Sequence, residues 1–227
     1  MGDRSRPQIK ICGLTRVEEA LWCADLGVHA IGCVFYPKSP RHLPDAEARK
    51  ICRAMAGRLQ TVGVFVNESL NTILQKVNDC GITSVQLHGK ESPDLVDQLH
   101  REKIRVIKTV FVDGSPGLAD APAFNAEAFL LECSKGPLPG GNAMAWDWRR
   151  ATAFGSRHPF ILAGGLTPEN VTRALQEALP AAVDVSSGVE SAPGRKNLKK
   201  IKKFVKMVAA FSHPINDERP PWDIFRS

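Results

Sequence analysis

Phe160-Ile-Leu-Ala-Gly-Gly-Leu-Thr-Pro-Glu-Asn-Val-Thr-Arg-Ala-Leu-Gln-Glu-Ala-Leu-Pro-Ala-Ala-Val-Asp-Val-Ser-Ser-Gly188 reads as one complete unit: strand, glycine turn, helix, strand. The apolar run Phe160–Ala163 stops at paired glycines, and Thr167-Pro168-Glu169 sets a cap residue before a proline suited to the first helical turn. A second apolar run, Val183–Ser186, then ends in Ser187-Gly188. Runs of this kind, apolar on both faces, are what a parallel strand buried between two layers requires. Working outward, the same alternation recurs. Strands are expected at Gln8–Cys12, Ala30–Phe35, Thr61–Val66, Ser84–Leu87, Val106–Val110 and Ala128–Glu132, giving eight in all. Helix starts lie between them at Thr15-Arg-Val-Glu18, a capping-box pattern, at Pro44-Asp45, where a helix through Met55 opens, and at Ser92-Pro93-Asp94. Eight such units point to an α/β fold, a single (β/α)8 barrel of parallel strands over residues 1–212, with a doubly wound open sheet as the alternative arrangement. Residues 213–227, with three prolines and Trp222, read as a C-terminal extension that wraps the surface or stays disordered.

Composition narrows the function classes. The chain has 227 residues, 43% apolar and 24% charged, ordinary for a soluble globular protein. No apolar run nears the roughly 20 residues a bilayer span needs, and Met1–Lys10 lacks a signal-peptide core, so a cytoplasmic protein is expected. The six cysteines form no C-x-x-C pair, which argues against a disulfide framework or a zinc site. The net charge of +6 looks like a nucleic-acid signal until it is localised. Arg195, Lys196, Lys199, Lys200, Lys202, Lys203 and Lys206 lie in one segment, and the chain without these seven carries a net −1. Leu198, Ile201, Phe204, Val205 and Val208 interleave them at helical spacing, so the segment reads as an amphipathic final helix with a solvated basic face.

In a barrel of this kind the active site lies where the strands end at their C-terminal side, in the βα loops. Strand one closes with Cys12-Gly13, placing a thiol near the mouth beside a glycine that lets a ligand approach; on its own such a cysteine is more often structural. The loop after strand two, Tyr36-Pro-Lys-Ser-Pro-Arg41, carries an arginine able to fork onto a carboxylate, or one that simply faces solvent. Gln86 and His88 share one face of strand four, and Glu132 ends strand six. Gly164-Gly165 and Ser187-Gly188 follow strands seven and eight, where free amides commonly hold a phosphate, although isolated turn glycines look the same.

Taken together, Lys10-Ile-Cys-Gly13, Phe35-Tyr-Pro-Lys-Ser-Pro-Arg41, Val62-Gly-Val-Phe-Val-Asn67, Val85-Gln-Leu-His-Gly89, Gly164-Gly-Leu-Thr-Pro-Glu-Asn170 and Val183-Asp-Val-Ser-Ser-Gly-Val-Glu190 resemble the phosphoribosylanthranilate isomerase family, nearly from end to end. The resemblance implies an Amadori rearrangement of N-(5′-phosphoribosyl)anthranilate in tryptophan biosynthesis, with Cys12 as general base and Glu132 at the place of the general acid. It implies Arg41, His88 and Asp184 around the substrate, Gly164, Gly165, Ser187 and Gly188 around its phosphate, and no metal or organic cofactor. The expected partner is a phosphorylated sugar-amine substrate, with no nucleic acid and no membrane, in a monomer or homodimer. Three departures stand out. The family's Leu-Leu-Asp is Leu130-Leu131-Glu132 here, its Gly-Gly-Ser/Thr-Gly loop is Gly140-Gly141-Asn142-Ala143, and Asn197 replaces an Asp. One methylene is enough to displace a carboxylate by a bond length, and a misplacement of about 1 Å can cost ~10²-fold in rate. A related isomerase acting on another phosphosugar amine, or a non-catalytic phosphosugar-binding barrel, are the competing readings.

Overall fold

The computed structural model describes residues 6–133, 146–214 and 222–225. Eight parallel strands close into a barrel in the order β1 (Gln8–Cys12), β2 (Ala30–Val34), β3 (Gln60–Phe65), β4 (Ser84–Leu87), β5 (Arg105–Phe111), β6 (Ala128–Glu132), β7 (Phe160–Leu162) and β8 (Ala182–Val185). β8 pairs back onto β1 with Lys10 opposite Asp184, which closes the ring and excludes the open sheet. The helices are α1 (Val17–Asp25), α2 (Asp45–Met55), α3 (Leu70–Cys80), α4 (Pro93–Arg101), α5 (Thr152–Gly155), α6 (Val171–Ala178) and α7 (Leu198–Ala209). Alternation along each strand divides the core in two. Ile9, Ile11, Ile31, Phe65, Leu131 and Val183 point outward and pack against helix residues such as Ile51, Met55, Leu99 and Phe204. Ala30, Val62, Ile107, Ala128, Ile161 and Ala182 fill the barrel's interior.

Several helix starts differ from the sequence reading. Thr15 caps nothing: its hydroxyl donates to the Gly194 carbonyl at 2.7 Å, and α1 begins after Arg16 without a side-chain cap. The reciprocal half of the motif survives one residue on, because Glu19 rather than Glu18 accepts from the Thr15 amide at 3.1 Å. The Thr167-Pro168-Glu169 stretch is a turn, and α6 starts only after Asn170, whose side chain ties Thr167 N to Gly165 O. Ser92 does cap α4, with Pro93 at its first position, and α2 opens at Asp45 as expected. The fifth connection is no α-helix: Leu118–Ala123 forms a 3₁₀ stretch. The segment contains Pro122, which supplies no amide hydrogen and obstructs a regular α-helical turn.

Near the C-terminus a short hairpin of β9 (Glu190–Ala192) and β10 (Arg195–Lys196) leads into α7, which buries Ile201, Phe204 and Val208. The helix carries two basic residues fewer than expected, because Arg195 and Lys196 lie in β10, where Lys196 is buried. Asn197 performs the capping that an Asp would, accepting from Lys200 N at 3.1 Å. All six cysteines are free and buried. Among the described residues no helix is long and apolar enough to cross a membrane.

Candidate active site

The C-terminal ends of the strands surround an open cleft of about 740 Å³, lined among others by Cys12, Tyr36, Arg41, Gln86, His88, Glu132, Gly164, Gly165, Asp184 and Ser187. Eight of the nine residues that the family resemblance assigns therefore line one cavity. Gly188 is the ninth: half-buried, it does not itself line the cavity, and a Cβ there would sit 1.9 Å from the Leu166 carbonyl oxygen. Its missing side chain is what lets the loops after β7 and β8 touch. The amides of Gly164, Gly165, Ser187 and Gly188 donate to no protein acceptor among the described residues. Gly164 and Gly165 both adopt positive φ, +88° and +67°, which aims the first of these loops. Trp146 braces that loop by donating from Nε1 to the Ala163 carbonyl at 2.9 Å. The Gly140–Ala143 segment lies outside the described residues.

Cys12 is 8% exposed at the end of β1, with Lys10 two residues earlier on the same interior face. The Lys10 Nζ lies 3.0 Å from Asp184 Oδ1 in a pair sealed from solvent on the lysine side. Burial works to lower the Lys10 pKa, but Asp184 and Cys12 outweigh it and hold the ammonium above its ordinary value. Burial pushes the Cys12 thiol up, while Lys10 and Lys196 pull it back toward the thiolate. Asp184 is likewise pushed up by burial against the pull of Lys10. A residue that alternation alone would have located, Lys10, thus supplies the cation beneath the thiol.

Arg41 does not simply face the cavity. Its Nε and Nη2 each donate to Glu190 at 2.8 Å, leaving Nη1 without a protein acceptor among the described residues. Its stem crosses Gly13, where a Cβ would meet Arg41 Cδ at 2.5 Å, so the group that approaches the Cys12-Gly13 backbone is a protein side chain. Glu190 is shared, for Lys196 Nζ also reaches its Oε1 at 2.7 Å and extends to the Ser186 carbonyl at 3.2 Å. Ser186 in turn donates to the Cys12 carbonyl at 3.0 Å. Burial raises the Glu190 pKa, yet Arg41 and Lys196 together bring it below its ordinary value; burial lowers that of Lys196. Sequence reasoning missed this relay, because Lys196 was counted with the solvent-facing lysines and nothing in the spacing links position 41 to 190.

At the opposite wall, His88 Nδ1 lies 2.7 Å from Gln86 Nε2 and 2.9 Å from Thr109 Oγ1. With Nδ1 accepting from the amide, Nε2 carries the hydrogen and faces Glu132 Oε2 at 3.2 Å. The longer carboxylate thus lands on a defined partner. Behind this wall Lys108, fully buried, bonds Glu91 Oε2 and the Gly89 carbonyl at 2.8 Å each and pins the turn that carries His88. Among the described residues no group of three His, Cys, Asp or Glu side chains is arranged to hold a metal ion.

Comparison with known proteins gives a consistent answer. The model of the N-(5′-phosphoribosyl)anthranilate isomerase family matches residues 9–207. The enzyme of that name from Desulfatibacillum aliphaticivorans is 50% identical over 198 residues, 87% of this chain and 91% of that one. The crystal structure of phosphoribosyl anthranilate isomerase from Thermotoga maritima superposes with a TM-score of 0.82 at 37% identity, covering 90% of this chain and 100% of the other. A structure of a phosphoribosyl anthranilate isomerase in complex with reduced 1-(o-carboxyphenylamino)-1-deoxyribulose 5-phosphate gives 0.79 at 37% identity and the same coverage. By motif, by sequence along nearly its whole length and by fold, this chain belongs to the N-(5′-phosphoribosyl)anthranilate isomerase family.

Proposed function

We propose that the chain converts N-(5′-phosphoribosyl)anthranilate to 1-(2-carboxyphenylamino)-1-deoxyribulose 5-phosphate, using Glu132 as general acid and Cys12 as general base. The observation that carries the reading is that both residues line one cleft whose wall includes two loops with unclaimed amides. Those amides, from Gly164, Gly165, Ser187 and Gly188, take the substrate's phosphate, a dianion that oriented N–H groups attract. Family membership and the product-analogue complex of the 37% identical isomerase support the same substrate.

The chemistry follows from the placement of the protons. His88 Nε2 faces Glu132 Oε2 at 3.2 Å, and Glu132, as the general acid, delivers its proton to the furanose ring oxygen. The C1′–O bond breaks and the nitrogen lone pair completes an iminium. A proton on the carbon beside an iminium is acidified, and the Cys12 thiolate removes it from C2′, leaving an enolamine that tautomerises to the ketone. A buried thiol resists ionising, and Lys10 and Lys196 oppose that resistance from below and beside it. Arg41, clamped by Glu190, turns its Nη1 edge to the anthranilate carboxylate, while Asp184 lines the floor near Lys10. No cofactor enters this scheme. The protein acts without nucleic acid or membrane, in the cytoplasm.

A coupled fluorescence assay on enzymatically generated substrate tests the reading. Wild type consumes the fluorescent substrate, and Cys12→Ser loses general-base catalysis, a contribution of typically ~10²–10⁴-fold. Full activity in Cys12→Ser overturns the assigned base, and a silent wild type overturns the substrate.

A further inference from the structure

The end of the barrel away from the cleft is closed in a way that the active site does not explain. The first interior positions of the even-numbered strands are Ala30 (β2), Ser84 (β4), Ala128 (β6) and Ala182 (β8), all small and all buried. Four large side chains would fill such a layer; four small ones leave room at its centre. Ile224 and Phe225, each 6% exposed, pack into the same cluster as the three alanines. The backbone of this tail segment is held too. Gln8 Oε1 accepts from Ile224 N at 2.8 Å and from Phe225 N at 3.0 Å, and Gln8 Nε2 donates to Asp223 Oδ1 at 2.7 Å. Arg105 Nη2 donates to the Ile224 carbonyl at 2.7 Å. Gln8 starts β1 and Arg105 starts β5, four strands apart in a ring of eight, so a segment bonded to both lies across the mouth. The family match ends at residue 207, and this segment lies beyond it.

We infer that the lower mouth of the barrel is a peptide-docking site whose occupant is the chain's own segment Trp222–Phe225. Specificity comes from two apolar side chains seated on a floor of small residues. Affinity comes from Gln8 and Arg105, which read the peptide backbone and Asp223 from opposite rims. Trp222, 38% exposed, stays outside the seat.

The experiment uses the full chain with a protease recognition sequence inserted between Asn216 and Asp217. After cleavage and dialysis, a fluorescein-labelled synthetic peptide of residues 218–227 is titrated back and followed by anisotropy. Saturable binding is expected, competed by unlabelled wild-type peptide and at least ~10-fold more weakly by a peptide carrying Ile224→Ser and Phe225→Ser. Absence of saturable binding, or equal competition by the doubly substituted peptide, overturns the site. Intact-chain variants cover the case in which the cleaved barrel unfolds. Phe225→Ala is expected to lower Tm by at least ~5 °C, since truncating a buried phenylalanine is costly and a domain this size loses roughly 2–4 °C per kcal/mol. Trp222→Ala is expected to leave Tm unchanged. Equal Tm values for Phe225→Ala and wild type overturn the proposal. An intact chain that elutes as a dimer, and as a monomer once Phe225→Ala is introduced, overturns the assignment of the segment to its own barrel.

Discussion

Gly188→Ala offers the sharpest test of the phosphate cradle, because its effect is set by a distance. The alanine Cβ would lie 1.9 Å from the Leu166 carbonyl oxygen and 2.9 Å from its carbon, both backbone atoms that no rotamer change can move. Restoring even 3.0 Å to the oxygen pushes the loop after β7 and the loop after β8 about 1.1 Å apart. The loops carry the amides proposed to share one phosphate, so one pair of donors is displaced while the other stays. A misplacement of about 1 Å costs on the order of 10²-fold. The expected result is a loss of roughly 100-fold in kcat/KM, carried chiefly by KM, together with loss of competitive inhibition by inorganic phosphate. Gly63→Ala is the control, since its Cβ meets Phe65 and Ile82 side chains at 2.8 and 2.9 Å on the outer face of β3. It should lower Tm and leave KM in place. If Gly188→Ala folds with wild-type KM and wild-type phosphate inhibition, the two loops do not hold the phosphate.

Other expectations concern the acid, the thiol and the relay of charges. Glu132→Gln removes the proton to be delivered and should cut kcat by ~10²–10⁴-fold in the fluorescence assay, with a smaller change in KM. Glu132→Asp withdraws the carboxylate by roughly a bond length from His88 and should also slow turnover; an increase instead would show that the native substrate is a different sugar amine. With the Cys12 thiol pushed up by burial and Lys10 opposing it, kcat/KM should rise with pH, and Lys10→Met should move that rise further into the alkaline range. An unmoved pH profile in Lys10→Met would remove Lys10 from the mechanism. Glu190, held below its ordinary value of 4.5 by Arg41 and Lys196 against burial, contributes stability that is present above that value and lost as pH falls through its folded pKa. Glu190→Gln should therefore lower stability at pH 7 by about 3 kcal/mol and flatten the acid side of the Tm profile.

How much of this was legible in the sequence depends on whether the signal is local. Each strand is a short run of apolar residues, and all eight have bounds within one residue of those read from pattern; β5 extends by one at both ends. Strand ends are local too, so Cys12, His88, Glu132, Asp184 and the two glycine-bearing loops could be placed at one mouth once the barrel was recognised. Helix starts were less secure. Thr15 and Thr167 have the right residue type at the right spacing, but each finds a better partner in the folded chain, Gly194 O for one and the Asn170 turn for the other. What pattern could not supply was pairing across the chain. Arg41 meets Glu190 149 positions away, and Gln8 meets Phe225 217 positions away. Composition was misleading for Lys196, which belongs to a run of lysines and yet is buried.

The four buried ion pairs around the mouth, two of them sharing Glu190, are better understood through position than through stability. Burying charged groups costs several kcal/mol for each ion, and a well-packed apolar replacement is often neutral or better. Lys10–Asp184, Lys108–Glu91 and the Arg41–Glu190–Lys196 relay each carry that cost with side chains largely or fully hidden from water. Each also ties together parts that the barrel alone would leave independent. Lys108 holds the turn bearing His88, Glu190 joins the loop after β2 to the hairpin after β8, and Lys10 joins β1 to β8 directly beneath Cys12. For a thiol the arrangement has a further effect. The desolvation that disfavours its ionisation also strengthens the field of every nearby cation, so Lys10 and Lys196 act on Cys12 more strongly than surface lysines would. The ionisation of this thiol is thereby made to depend on two lysines, and the barrel's closure at β1–β8 is what brings the nearer of them into place.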